Sequence, residues 1–172
     1  MIKNARNKRL DARGFTLIEV IATLVLITII AAMAGLGIVE ITKQYLFAQK
    51  AGETAQVSQV AMARMVKELT LIRSGTSSGS TSITFNTPAA AGRTISWTGG
   101  NSGSFVKPIM MNNQPLIENV QNLTLQYFNS YDDTVLTRPY SQTDTVLIGI
   151  SFTVTGADGI TSTFTGRAFV RN

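Results

Sequence analysis

Hydrophobic and polar positions divide the chain into three stretches. Phe15 to Val39 is strongly apolar and is interrupted only by Glu19; Val20 to Val39 holds no charged residue. A helix of that length rises about 30 Å, the thickness of a bilayer's hydrocarbon core. The pattern predicts a membrane-spanning helix over 15–39 rather than a buried core helix, which rarely needs so long an uncharged run. From Glu40 to Arg73 charges return, with no proline and Gly52 as the one strong break. Met62, Val66, Leu69 and Ile72 recur at helical spacing, and Ala55 and Gln59 continue that stripe backwards. Glu40, Lys43, Lys50, Glu53, Arg64, Lys67 and Glu68 fall on other faces. The prediction is an amphipathic continuation over 40–73, with its stripe packed on a sheet.

Ser74 to Ser80 contains only serine, glycine and threonine and is expected as a linker. Beyond it the period drops to two. Short alternating segments run through Ile83–Phe85, Ile95–Trp97 and Leu123–Leu125–Tyr127. The clearest is Val146, Ile148, Ile150, Phe152 and Val154, with Thr145, Gly149, Ser151 and Thr153 on the other face. Gly156-Ala157-Asp158-Gly159 then leads into a further strand through Phe164 to Val170, which reads as a β-hairpin. Serine and threonine supply 28 residues of 74–172, suiting an antiparallel sheet with one wet face. The expected fold class is α+β: a long N-terminal helix whose second half packs on an antiparallel β-sheet head over 74–172.

Charge alters the picture at the N-terminus. The formal net charge of +5 and pI near 9.8 invite a nucleic-acid reading. Yet Lys3, Arg6, Lys8, Arg9 and Arg13 stand against Asp11 alone in the first fourteen residues. The remainder carries ten basic and nine acidic residues, and the head is balanced at five of each. A basic cluster directly before a span places the N-terminus in the cytoplasm and the head on the far side. A neutral head argues against nucleic acid. With no histidine and no cysteine, a Ser-His-Asp triad, a Cys-His dyad, the usual zinc sites and disulfides are all excluded. A hydrolase would need paired acids, and the acids of the head form no such motif.

Arg13-Gly14-Phe15-Thr16-Leu17-Ile18-Glu19-Val20 is the specific feature. An acidic or basic side chain near the centre of a membrane helix costs about 2.5–3.5 kcal/mol on insertion scales, so Glu19 calls for a partner or a purpose. Cleavage after Gly14 would make Phe15 the N-terminus and Glu19 the fifth residue. The carboxylate then lies one turn from a positive amine, of its own chain or of a neighbour shifted along its axis. A removable secretory signal, with Ala32-Met33-Ala34 as its cleavage site, fits less well, because the apolar run is too long.

These residues closely resemble the prepilin signature of type IV pilins and type II secretion pseudopilins, in which a basic leader ends in glycine and a Phe-Thr-Leu-Ile-Glu run follows. The resemblance implies a leader at 1–14, prepilin peptidase cleavage between Gly14 and Phe15, N-methylation of Phe15, and subunit assembly through Glu19. It also implies a non-enzymatic filament subunit with no cofactor and no metal. Its partners would be other pilin or pseudopilin subunits, the peptidase, membrane lipid before assembly, and an inner-membrane platform with its ATPase. The head would lie in the periplasm until the subunit enters a periplasmic or extracellular filament. Where major pilins often carry a proline, this chain has Leu36 between Gly35 and Gly37, either a soft spot or a close-packing contact. Leu116 to Asp133 and the Arg171-Asn172 pair resemble the minor pseudopilin J and PilW-like group, which implies a tip complex that primes assembly. The alternative function is an adhesin or DNA-binding minor pilin. Two head features have side chains suited to chemistry. Asp132, Asp133 and Asp144 could offer oxygen to calcium, but they match no EF-hand spacing. Trp97 with Arg93 and Lys107 could form a stacking patch, although a lone tryptophan in a strand is more often core.

Overall fold

The computed structural model describes residues 14–99, 106–131 and 139–170. The leader residues 1–13, Asp132, Asp133 and the Arg171-Asn172 pair lie outside the described residues. The chain divides into two compact units, Met1–Tyr45 and Leu46–Asn172.

Helix α1 spans Leu17–Thr70. In the first unit its apolar side chains are exposed on every side: Leu24 is 60% and Ile30 65% accessible. This is the one helix among the described residues long and apolar enough to cross a membrane. Gly35 and Gly37 lie within the helix, and a Cβ added at either would meet nothing within 4 Å.

In the second unit the end of α1 packs on a seven-stranded antiparallel sheet in which every strand neighbours the next in sequence. The strands are β1 (Ser74–Ser78), β2 (Ser82–Asn86), β3 (Arg93–Trp97), β4 (Lys107–Met111), β5 (Gln114–Phe128), β6 (Leu147–Thr155) and β7 (Thr161–Phe169). The α+β class expected from periodicity is therefore present. The buried helical stripe is Ser58, Ala61, Met65 and Leu69, continued by Ile72 just after the helix. Sequence spacing had centred it on Met62 and Val66, which are half-buried at its flank, while Gln59 is exposed. The stripe is displaced because small residues face the sheet: Ser58 turns its hydroxyl back to the Thr54 carbonyl at 2.7 Å and buries without cost in bulk.

The helix also ends earlier than Arg73. Leu71 N–H donates to Glu68 and Ile72 N–H to Leu69, three residues back, in a tightened last turn. Arg73 N–H is then captured by the Asn86 carbonyl at 2.8 Å. This capture corrects the expected linker, since 74–78 is strand β1, paired with β2 from Ser74↔Asn86 to Ser78↔Ile83. The strand needs no apolar side chain of its own. Asn86 Nδ2 donates to Ser74 Oγ at 2.9 Å, and the Tyr140 ring lies over Gly75 so closely that a Cβ there would collide with it.

Strand β4 was not foreseen either. It joins β5 through Asn112 and Asn113, both at positive φ (51° and 65°), a two-residue hairpin turn of the primed kind. Strand β5 pairs with β4 through its first half and with β6 through its second, and both registers include Val120. The change of partner lets the sheet curl. The β1–β2 turn thereby reaches β5, where Leu125 N–H donates to the Ser80 carbonyl and the Tyr127 hydroxyl to the Gly79 carbonyl at 3.0 Å. Inside lie Phe85, Ile95, Ile109, Leu123, Ile150 and Phe152, all essentially inaccessible. At β7 the helix comes close: a Cβ on Gly166 would stand 2.5 Å from Met62 Sδ.

Candidate functional site

The N-terminal motif is assembled around the first turn of α1. Gly14, Phe15 and Thr16 precede the helix in extended, exposed chain, and Phe15 is 78% accessible. Thr16 is the N-cap. Its carbonyl accepts from the N–H groups of Glu19 (3.1 Å) and Val20 (3.2 Å), and its hydroxyl lies 3.4 Å from Glu19 N. Thr-x-x-Glu is the spacing of a capping box, a signal in the sequence that marks Thr16 as the cap. Glu19 thus sits in the first turn, where the helix dipole favours a carboxylate. Its side chain is exposed and has no hydrogen-bond or ion-pair partner among the described residues. Gly14, Phe15 and Glu19 therefore lie on one short, accessible segment.

The head features considered for chemistry resolve differently. Trp97 is 3% accessible, and its Nε1–H points to the carbonyls of Lys107 and Val120, each at 3.2 Å. It is core and offers no stacking patch. Arg93 instead pairs with Glu68 at 2.8 Å, tying β3 to the last turn of the helix. Asp144 accepts from the Ser141 hydroxyl at 2.8 Å, the turn chemistry expected of a loop aspartate. No group of three or more acidic ligands occurs among the described residues. The buried Tyr127 phenol is pushed well above its usual range by loss of solvent, and Tyr140, packed edge-on against it at 6.2 Å, is raised for the same reason. The Tyr140 hydroxyl is buried without a partner among the described residues, so its burial rests on ring packing.

Residues 9–35 match the family model described as the prokaryotic N-terminal methylation motif. No curated protein and no solved structure matches the chain. The motif, together with one long apolar N-terminal helix and an antiparallel sheet, supports a type IV pilin-like or pseudopilin-like subunit. Assembly with other pilin subunits and processing by a prepilin peptidase are what that motif implies in general. The apolar helix is consistent with a membrane-anchored pilin.

Proposed function

We propose that this protein is a minor pilin or pseudopilin: a structural, non-enzymatic subunit of a type IV pilus-like or type II secretion filament, placed in a tip complex that primes assembly. Prepilin peptidase cuts between Gly14 and Phe15, Phe15 is methylated, and the Glu19 carboxylate sets the register against a neighbouring subunit's amine. In the bilayer the N-terminus is cytoplasmic and the head is periplasmic. The observation that carries the reading is the match over residues 9–35, which includes an exposed N-cap and a Glu19 side chain without a partner among the described residues. Cutting there removes Gly14 and everything before it while leaving Thr16 as the cap, so processing costs the helix none of its own hydrogen bonds. A head with balanced charge favours protein partners over nucleic acid.

Mass spectrometry of the mature protein is expected to find a chain beginning at methylated Phe15; a chain beginning at Gly35 rejects the reading. Glu19→Ala is expected to be cleaved normally but to lose incorporation beside partner subunits, and wild-type incorporation contradicts the role of Glu19.

A further inference from the structure

The outer face of the sheet, opposite the helix, carries a feature that assembly through the N-terminus does not use. Strands β5, β6 and β7 bring Gln126, Gly149 and Arg167 into one cross-strand row. The central position has no side chain. A trough one residue wide opens between the Gln126 amide and the Arg167 guanidinium, whose Cα atoms stand about 9–10 Å apart at ordinary strand spacing. Its volume is about 440 Å³, and Phe128, Ser151 and Thr165 complete the lining. Gly149 is itself buried beneath its neighbours: a Cβ there would approach Phe128 Cε2 to 3.0 Å and Gln126 Oε1 to 3.5 Å, so the glycine is the covered floor between the two polar ends.

The polar groups of this trough are uncommitted. The side chains of Gln126, Ser151, Thr165 and Arg167 have no hydrogen-bond or ion-pair partner among the described residues. By contrast, Thr153 and Thr163, one row along, satisfy each other at 2.9 Å. The trough therefore presents one guanidinium, one amide and two hydroxyls, with the Phe128 ring as an apolar wall. No acid lies in this row or in the adjacent Thr124–Ser151–Thr165 row. Beyond the wall, Tyr131 and Phe169 hold their rings 5.3 Å apart, both exposed.

We propose that this trough binds an acidic saccharide through a pyranose unit bearing a carboxylate. Arg167 receives the carboxylate, since guanidinium–carboxylate pairing is the strong, directional contact available. Gln126, Ser151 and Thr165 exchange hydrogen bonds with ring hydroxyls. A single cation among neutral groups suits a monoanion on a hydroxylated frame better than a dianionic phosphate. The site is built within the head alone, so it stands or falls apart from processing at Gly14.

The test is calorimetric titration of the full-length protein in detergent micelles with tetragalacturonate, cellotetraose and inorganic phosphate. Tetragalacturonate is expected to bind, and cellotetraose and phosphate to bind about tenfold more weakly or not at all. Arg167→Gln is expected to weaken tetragalacturonate about tenfold or more, the loss of one charged hydrogen-bonding partner. Thr165→Glu, a surface change that sets a like charge beside the trough, is expected to abolish binding, while Thr161→Ala at the far end of β7 leaves it unchanged. Absence of tetragalacturonate binding, indifference to Arg167→Gln, or phosphate binding as tight as the oligosaccharide each overturns the proposal.

Discussion

Leu24 and Leu69 are the same residue on the same helix, yet one is 60% exposed and the other fully enclosed. The contrast extends to glycine. At Gly35 and Gly37 an added methyl meets open space, whereas at Gly166 it meets Met62. The first stretch of α1 is built to be surrounded by something outside its own chain, be it lipid or neighbouring helices. The last stretch is built against one particular surface, to the width of a methyl group.

Substitutions on the two stretches and on the sheet, and a change of pH, probe that contrast. The largest effect is expected from Leu69→Ala, which should lower head stability by about 2–5 kcal/mol. Leu24→Ala should stay within about 0.5 kcal/mol in the same denaturant titration, carried out in detergent. Equal losses would break the distinction between the two stretches. Next comes Gly166→Val, an overpacking substitution worth about 1–3 kcal/mol. Met62→Ala added to it should recover part of the loss, because the far end of Met62 is what the new side chain strikes. Gly35→Ala, by contrast, has no steric penalty to incur. The smallest effect is a pH dependence. Folding holds the Tyr127 and Tyr140 phenols above their unfolded value near 10, so the folded head retains protons that the unfolded chain releases. Stability is therefore full below pH 10 and falls as pH rises above it, by at most about 1.4 kcal/mol per unit for one such group. Thermal unfolding at pH 9 and 11 should show the drop, and Tyr127→Phe should remove most of it. A pH-independent Tm would deny that these phenols are sealed.

What was legible in the sequence follows the same physics. The apolar run after Glu19 and the alternation from Val146 to Val154 each have one dominant period, and they correspond to α1 and β6. The tip at Gly156–Gly159 carried its own turn chemistry, and Gly156 N–H indeed bonds across it to the Ile160 carbonyl at 2.7 Å. Strand β1 had no such signal, because Ser-Gly-Thr-Ser-Ser becomes a strand only through its partner β2 and the lid of Tyr140. Strand β4 was hidden because Lys-Pro-Ile-Met-Met does not alternate; the Asn112-Asn113 pair behind it was the usable clue. The helical stripe was misplaced for a related reason. Hydrophobicity favours Met62 and Val66, but the sheet admits the smaller Ser58 and Ala61 more closely. At the N-terminus the motif residues could be named from sequence, and the Thr-x-x-Glu spacing that marks the Thr16 cap lies among them. The trough at Gly149 has no signature in the sequence, since Gln126, Gly149 and Arg167 come from three different strands and share a row only through register.

The sheet order bears on how the head forms. Because each strand's partner is the next one along the chain, pairing can advance hairpin by hairpin, with each step closing only the loop just made. No strand has to wait for a distant segment to find its neighbour, so local pairing should keep ahead of the misassembly that threatens sheets with crossed connections. The last step is different. Gly166 comes near the end of the order and sits against Met62 of a helix laid down at its beginning, so β7 is the strand that joins the last part of the chain to the first.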